Sequence, residues 1–413
     1  MATIPRYLLF IMSEKTRRHV DDLRGASRLA IEATRSVTAL VEAMHRNIAS
    51  GPAVLGRPLA KTAGLLTGLV YGSIRGVTWL VGSGIDKALA QLAPLLGESA
   101  PGPEREAVLA VLNGVLGDYL QKTGNPLAIQ MRLRHGGHPL RLERAALGEV
   151  FPRATGKLLL LVHGSSMNDL QWNRQGHDHG QALARDLGFT EVYLHYNSGL
   201  HISTNGRALA ALLEQLANAW PVPLDEIAIV AHSMGGLLAR SACHSAEAAR
   251  HRWRGKLRKL VCLGSPHHGA ALERGGSWVD LLLGISRYSA PLQRLGQIRS
   301  SGVTDLRFGN VLDAHWEGLD RFAHGGDRRT PLPLPEGVEC FAVAATTALQ
   351  AGGKLPGDGL VSVDSALGRH RDAALALAFS QEWIAYGTRH LDLLNRPEVY
   401  TQLAAWLGKS APG

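Results

Sequence analysis

The chain has 413 residues, 45% of them hydrophobic and 19% charged, which supplies a large core and excludes wholesale disorder. Its net charge of +9 leaves attraction to anionic surfaces open. No zinc-ligand spacing, helix-turn-helix signature or Lys/Arg block with interleaved aromatics accompanies it, so nucleic acid is excluded as a partner. Three cysteines, Cys243, Cys262 and Cys340, with no CxxC pair, exclude a disulfide framework and point to reduced thiols in the cytoplasm.

At the N-terminus the apolar patch from Tyr7 to Met12 is too short for a signal-peptide core and is followed by no small-residue cleavage site. Residues 13 to 48 then read as an amphipathic helix, with Val20, Leu23, Leu29, Val37, Leu40, Val41, Met44 and Ile48 near helical spacing. Between 62 and 85, Gly64, Gly68, Gly72 and Gly76 recur every four residues. On a helix they make a flat stripe that lets another helix approach closely. The stretch is near spanning length but contains Arg75 and six glycines, so it reads as a soluble helical hairpin. The alternative is peripheral membrane or lipid-surface contact through residues 13–96. A Pro/Gly/acid stretch at 94–106 breaks the pattern, and a further helix runs to about Gln121. Residues 1–122 thus read as a helical N-terminal region.

From about Asn125 the texture changes. Residues 127–142 predict two strands joined at Gly136-Gly137. Apolar strand-like runs follow at 157–164, 191–196, 226–233, 258–265, 338–345 and 381–387, alternating with helical patterns at 177–187, 206–219, 235–248 and 396–407. Such alternation predicts an α/β domain with a mostly parallel sheet covered on both faces, over residues 123–410. A long insertion at about 270–335 carries Trp278, Leu281, Leu282 and Ile285 on one helical face. It reads either as an ordinary core helix or as a lid over an apolar substrate.

The stretch "IVAHSMGGLLAR" places Ser233 between the run Ile227–Val230 and a helix. A serine there could simply cap the helix. The five residues Ala231-His232-Ser233-Met234-Gly235 also fit the G-x-S-x-G pattern of a strained strand-to-helix turn, with alanine meeting the steric demand on the first glycine. A nucleophilic serine needs a base, an acid behind the base, and donors for an oxyanion. The Met234 N–H is one candidate donor. The Ser165 N–H, in the loop "VHGSSMN" after an earlier strand, is the other. For this architecture the order is serine, acid, histidine. Asp358 follows the penultimate strand and His390 the last, with Asp364 as rival acid and His370 as rival base.

Together "VHG", "AHSMGG", "GSPHHGA", "GDGLVS" and "HLDLLN" resemble the bacterial lipase and esterase branch of the α/β-hydrolases, and their deacylase-like relatives, over about residues 125 to 410. The resemblance implies an α/β-hydrolase fold with a lid-like insertion and, here, an N-terminal helical extension. It implies Ser233, Asp358 and His390 as the triad, and Ser165 with Met234 at the oxyanion hole. It places His267 and His268 on the family's loop after the sixth strand, shaping a pocket wall. His163 reads as a structural histidine holding its loop, with a place at the substrate as the alternative, and Trp278 and Leu282 would meet the substrate if the insertion is a lid. Secreted relatives often carry a structural calcium; Asp392 matches one of its carboxylates, but "TTALQAGGKLP" holds no second acid, so no metal or other cofactor is expected. The implied activity is hydrolysis of acyl esters or lipids through an acyl-enzyme. Acyl transfer or thioester hydrolysis would use the same triad, and a lipid-surface scaffold with a degenerate hydrolase domain is the alternative of another class.

Overall fold

The computed structural model describes residues 103–270, 300–319, 326–353 and 355–409. The segment 13–96, with its glycine stripe, and the residues Trp278 and Leu282 lie outside the described residues. What is described falls almost entirely in one compact unit, Glu106–Leu282 with Arg299–Gly413. Among the described residues no helix is long and apolar enough to cross a membrane.

Eight strands form one sheet: β1 (Arg132–His135), β2 (His138–Pro139), β3 (Lys157–Val162), β4 (Thr190–His195), β5 (Glu226–His232), β6 (Leu257–Leu263), β7 (Glu339–Ala345) and β8 (Gln381–Ala385). Their spatial order is β2-β1-β4-β3-β5-β6-β7-β8. The β1–β2 hairpin turns at Gly136 and Gly137, whose φ values of 57° and 78° suit glycine, and β1 joins β4 antiparallel. All pairings from β4 to β8 are parallel.

The run Leu158–Val162 is apolar at every position because both faces are covered: each of its five residues is fully buried. Alternate side chains go to opposite faces. Leu158, Leu160 and Val162 join a core with Leu209, Leu213 and Leu216 of one helix, Ile202–Ala219, and Leu238 and Ala242 of another, Met234–Ala248. On the other face, Gly180 of the helix His179–Leu187 lies so close to the sheet that a Cβ would meet Tyr193 Oη at 2.6 Å and Leu161 Cδ2 at 2.9 Å. Trp406 of the C-terminal helix, Pro397–Leu407, stacks on Phe341 of β7 with ring centroids 4.8 Å apart. In chain order the helices are α1 (Pro103–Lys122), α2 (Arg144–Val150), α3 (His179–Leu187), α4 (Ile202–Ala219), α5 (Met234–Ala248), α6 (Ser301–Asp305), α7 (Val363–Ala366) and α8 (Pro397–Leu407).

The compact unit begins at Glu106, and α1 is bonded into it. Asn113 Nδ2 donates to Leu109 O (2.9 Å) and Leu127 O (2.8 Å), while its Oδ1 accepts the Ile129 N–H (2.9 Å). Asn197 Nδ2 donates to Gly117 O at 2.9 Å, and Ser301 donates through both N and Oγ to Asp118 Oδ2. The described end of the 270–335 insertion is likewise part of the body. Asp305 Oδ2 accepts the Ile202 N–H at 2.9 Å, satisfying an orphan donor at the start of α4, and His201 stacks on Trp316 at 3.7 Å.

Candidate active site

The turn between β5 and α5 holds Ser233 at φ 55° and ψ −125°, a conformation side-chain-bearing residues rarely adopt. Its N–H donates to Leu263 O (2.8 Å), tying the turn to β6. The hydroxyl makes no capping bond to the helix, so the capping alternative falls; Ser233 Oγ is buried and without a hydrogen-bond partner. The following glycine is sterically required. A Cβ on Gly235 would stand 2.5 Å from Val162 O and 2.8 Å from His163 O, where α5 passes over β3.

Asp358 lies beyond β7 and His390 beyond β8, 32 residues apart in sequence. His390 Nδ1 donates to Asp358 Oδ2 at 2.7 Å, with both side chains buried. Asp358 Oδ1 accepts the N–H groups of Leu360 (2.9 Å) and Val361 (2.8 Å), and the His390 N–H donates to Asp358 O at 3.1 Å. This network fixes the carboxylate and the tautomer: with the proton on Nδ1, the Nε2 lone pair of His390 is free to accept. Nε2 is buried and without a partner, as is Ser233 Oγ.

Two groups that the sequence did not single out locate this pair beside the serine. His232, immediately before Ser233, donates from Nε2 to His390 O at 3.1 Å, and the two rings lie 4.7 Å apart. Burial and the neighbouring His390 push His232 well below its ordinary pKa, so it stays neutral. Gly264, at the end of β6, comes so close that a Cβ would be 3.3 Å from both Asp358 Oδ2 and His390 Cε1. The sequence signal for each was its place inside a motif, His232 in "AHSMGG" and Gly264 at the start of "GSPHHGA".

The rivals are elsewhere. His370 faces Asp327 at 3.9 Å and packs its ring on His268. Asp364 is exposed in the first turn of α7, which is capped by Ser362.

The loop after β3 meets the elbow from the other side. A Cβ on Gly164 would be 3.0 Å from Ser233 Cβ. Ser165 is buried, and its N–H makes no backbone hydrogen bond among the described residues. Met234 opens α5, so its N–H has no intrahelical acceptor. Ser166, at φ 57°, holds the loop by donating its N–H to Ser198 Oγ at 2.9 Å. His163 stacks on Tyr196 at 4.4 Å and donates Nδ1–H to Gly164 O at 2.8 Å, while Tyr196 Oη donates to His163 O. Burial pushes its pKa down to about 3, so it acts as a neutral brace for the loop. Behind it, Asp169 receives Arg134 (3.2 Å) and His195 (3.1 Å), a buried group that sequence periodicity could not reveal.

His267 and His268 lie on the loop that follows β6. None of their hydrogen bonds or ring contacts reaches Ser233, Asp358 or His390; they meet Arg240, Arg329, Phe379 and His370 instead. Among the described residues no group of three His, Cys, Asp or Glu could hold a metal ion, and Asp392 accepts the Arg389 N–H at 3.3 Å.

A serine on the β5 elbow, an acid after β7 and a histidine after β8, all at the carboxyl ends of parallel strands, complete one pattern. The fold is that of the α/β-hydrolases. The family described as "Domain of unknown function (DUF7379)" matches residues 139–306, which include Ser233 but neither Asp358 nor His390. No curated protein matches the chain. Among solved structures, the mature Bacillus licheniformis lipase BlEst2 is similar at 15% identity and a TM-score of 0.40, over 68% of this chain and 98% of that one. Aspergillus fumigatus lipase B is similar at 14% identity and a TM-score of 0.39, over 62% and 54% of the two chains. The RedJ thioesterase from the prodiginine pathway of Streptomyces coelicolor is similar at 16% identity and a TM-score of 0.34, over 62% and 91%.

Proposed function

We infer that the chain is a serine ester hydrolase acting on acyl esters, with Ser233 as nucleophile, His390 as general base and acid, and Asp358 as its orienting carboxylate. One observation carries the reading. A buried imidazole has its Nδ1–H locked on a carboxylate and its Nε2 left bare, next to a serine held on a strained elbow.

In this mechanism His390 Nε2 takes the hydroxyl proton as Ser233 Oγ attacks the acyl carbonyl carbon. The tetrahedral oxyanion is met by the N–H groups of Met234 and Ser165. Its collapse expels the alcohol, which receives the proton from His390. Water, deprotonated by the same nitrogen, then attacks the acyl-enzyme, and a second collapse frees the acid and restores Ser233. Asp358 keeps the imidazole in the accepting tautomer and stabilises the imidazolium. The setting is cytoplasmic, a reading supported by three buried, unpaired thiols.

The test is covalent labelling with a fluorophosphonate, together with turnover of p-nitrophenyl esters from acetyl to palmitoyl. The wild-type protein should be labelled at Ser233 and hydrolyse at least one chain length. Ser233→Ala should lose labelling and at least roughly 10³-fold in kcat with the melting temperature kept, since the hydroxyl has no structural partner. Near wild-type turnover by this variant would overturn the reading.

A further inference from the structure

The imidazole read above as the general base stands on a very short helix. His390–Leu394 is a 3₁₀ helix of five residues, a geometry whose own hydrogen bonds are poor, so other segments must fix its place. At its start the His390 N–H donates to Asp358 O, and His232 donates to the His390 carbonyl. A rod held at one end still pivots. Leu393 comes one turn later and, at three residues per turn, lies on the same face as His390. It is fully buried, and its carbonyl belongs to the last turn, where helices leave acceptors unanswered. That carbonyl is met at 3.0 Å by Nε2 of His179, a residue 214 positions earlier.

His179 opens α3 and is fully buried. Its backbone is fixed to the sheet. Asp178 caps α3, its Oδ1 accepting the N–H groups of Gly180 (2.7 Å) and Gln181 (3.1 Å), and the same oxygen accepts the Tyr193 hydroxyl of β4 at 2.8 Å. Tyr400 of α8 stacks on the His179 ring, with planes 13° apart. The tautomer follows by elimination. A carbonyl only accepts, so His179 carries its proton on Nε2, and its Nδ1 accepts from His177 Nε2 at 2.8 Å. Burial pushes its pKa down to about 4, so this donor–acceptor arrangement survives at neutral pH.

We propose that His179 is a positioning residue for His390. By holding the Leu393 carbonyl it fixes the axis of the short turn, and with it the place of the imidazole that takes the serine proton. The inference rests on the hydrolase reading for what His390 does. His232 and His179 then grip two carbonyls one turn apart, which together remove the pivot. A histidine that only answered a buried carbonyl would contribute stability alone. A positioning residue also sets the rate, because misplacement by about 1 Å costs roughly 10²-fold.

Two amides divide the ring between them. The asparagine amide sits where the imidazole has Nδ1, so His179→Asn can answer His177 but falls short of Leu393 O. The glutamine amide sits where the imidazole has Nε2, so His179→Gln can still donate to Leu393 O. In the full-length protein, assayed on p-nitrophenyl esters well below the melting temperature of each variant, His179→Asn should lose roughly 10- to 100-fold in kcat with KM within about threefold. His179→Gln should keep kcat within about threefold of wild type. If His179→Asn does not fold, His179→Leu, an apolar fill for a buried site, takes its place with the same expectation. A loss under about threefold in the variant that lacks the donor overturns the proposal. An equal loss in His179→Gln also overturns it, because that pattern marks a purely structural residue. The low-field NMR resonance of the His390 Nδ1 proton reads the same contact without turnover; it should shift in His179→Asn and return in His179→Gln. Wild-type protein that neither takes a fluorophosphonate nor hydrolyses any ester is a failure of the hydrolase reading. The resonance then decides alone whether His179 places the ring, and an unshifted signal in His179→Asn overturns that.

Discussion

The two oxygens of Asp358 have separate duties, and asparagine can perform only one of them. Oδ1 accepts two backbone N–H groups, so the amide oxygen of Asp358→Asn must take that side. The amide NH₂ then faces His390 Nδ1 and forces it to become an acceptor, which moves the ring proton to Nε2. A protonated Nε2 cannot take the proton of Ser233. We expect kcat to fall roughly 10⁴-fold with the fold intact, as tautomer reversal does in such triads. Esterase assays and thermal melts of the variant check this; a loss under tenfold would mean that Asp358 does not set the tautomer. His232 stands one step further out, bonded to the backbone carbonyl of His390, which in the proposed mechanism makes it a positioning residue.

At the scale of elements, α1 is the clearest case of a helix whose role is set by what it touches. Its residue Asn113 is fully buried and closes three hydrogen bonds, one within the helix and two to the segment 127–129. Asn113→Ala would strand the Ile129 N–H and the Leu127 carbonyl in a buried position. The expected cost is roughly 2–4 kcal/mol, read as a lower urea midpoint at unchanged slope. A cost below about 0.5 kcal/mol, typical of surface changes, would mean that α1 is a detachable appendage. The same helix reaches the loop that carries Ser165, a proposed oxyanion donor: a Cβ on Gly114 would collide with Ser166 Oγ. Larger residues at 114 should therefore lower kcat before they unfold the chain, a difference that parallel activity and melting measurements resolve.

For the molecule as a whole, the notable quantity is the number of histidines kept neutral by burial. His163 is pushed down to about 3, His179, His268 and His315 to about 4, and His232 and His267 well below their ordinary value. In the unfolded chain each titrates near 6.5. Below that pH the unfolded state binds protons that the folded state refuses, so stability is complete above about 6.5 and falls as the medium becomes more acidic. Each such group contributes a slope of about 1.4 kcal/mol per pH unit until its folded pKa is reached. The urea midpoint should drop continuously from pH 6.5 to 4.5, with uptake of more than one proton on unfolding. A midpoint that stays level over this range would contradict the neutral assignments.

The parts of this protein legible from the chain are those whose signals are local. Continuous apolar runs such as Leu158–Val162 mark strands buried on both faces, and five residues around Ser233 mark an elbow, because sterics there act between near neighbours. The α/β alternation fixed the fold class for the same reason. Which acid and which histidine stand together was only ranked by position. Asp358 rather than Asp364, and His390 rather than His370, are joined by a contact between loops 32 residues apart, and no periodicity encodes such a distance. His267 and His268 show the converse. Their place in a motif suggested the substrate, and the fold assigned them to a cavity with Arg240. The position of α1, likewise, rests on polar side chains reaching segments at 127–129, 197 and 300–301. Those partners are distant in the chain and adjacent only once the sheet has gathered them, so the tertiary structure alone decided them.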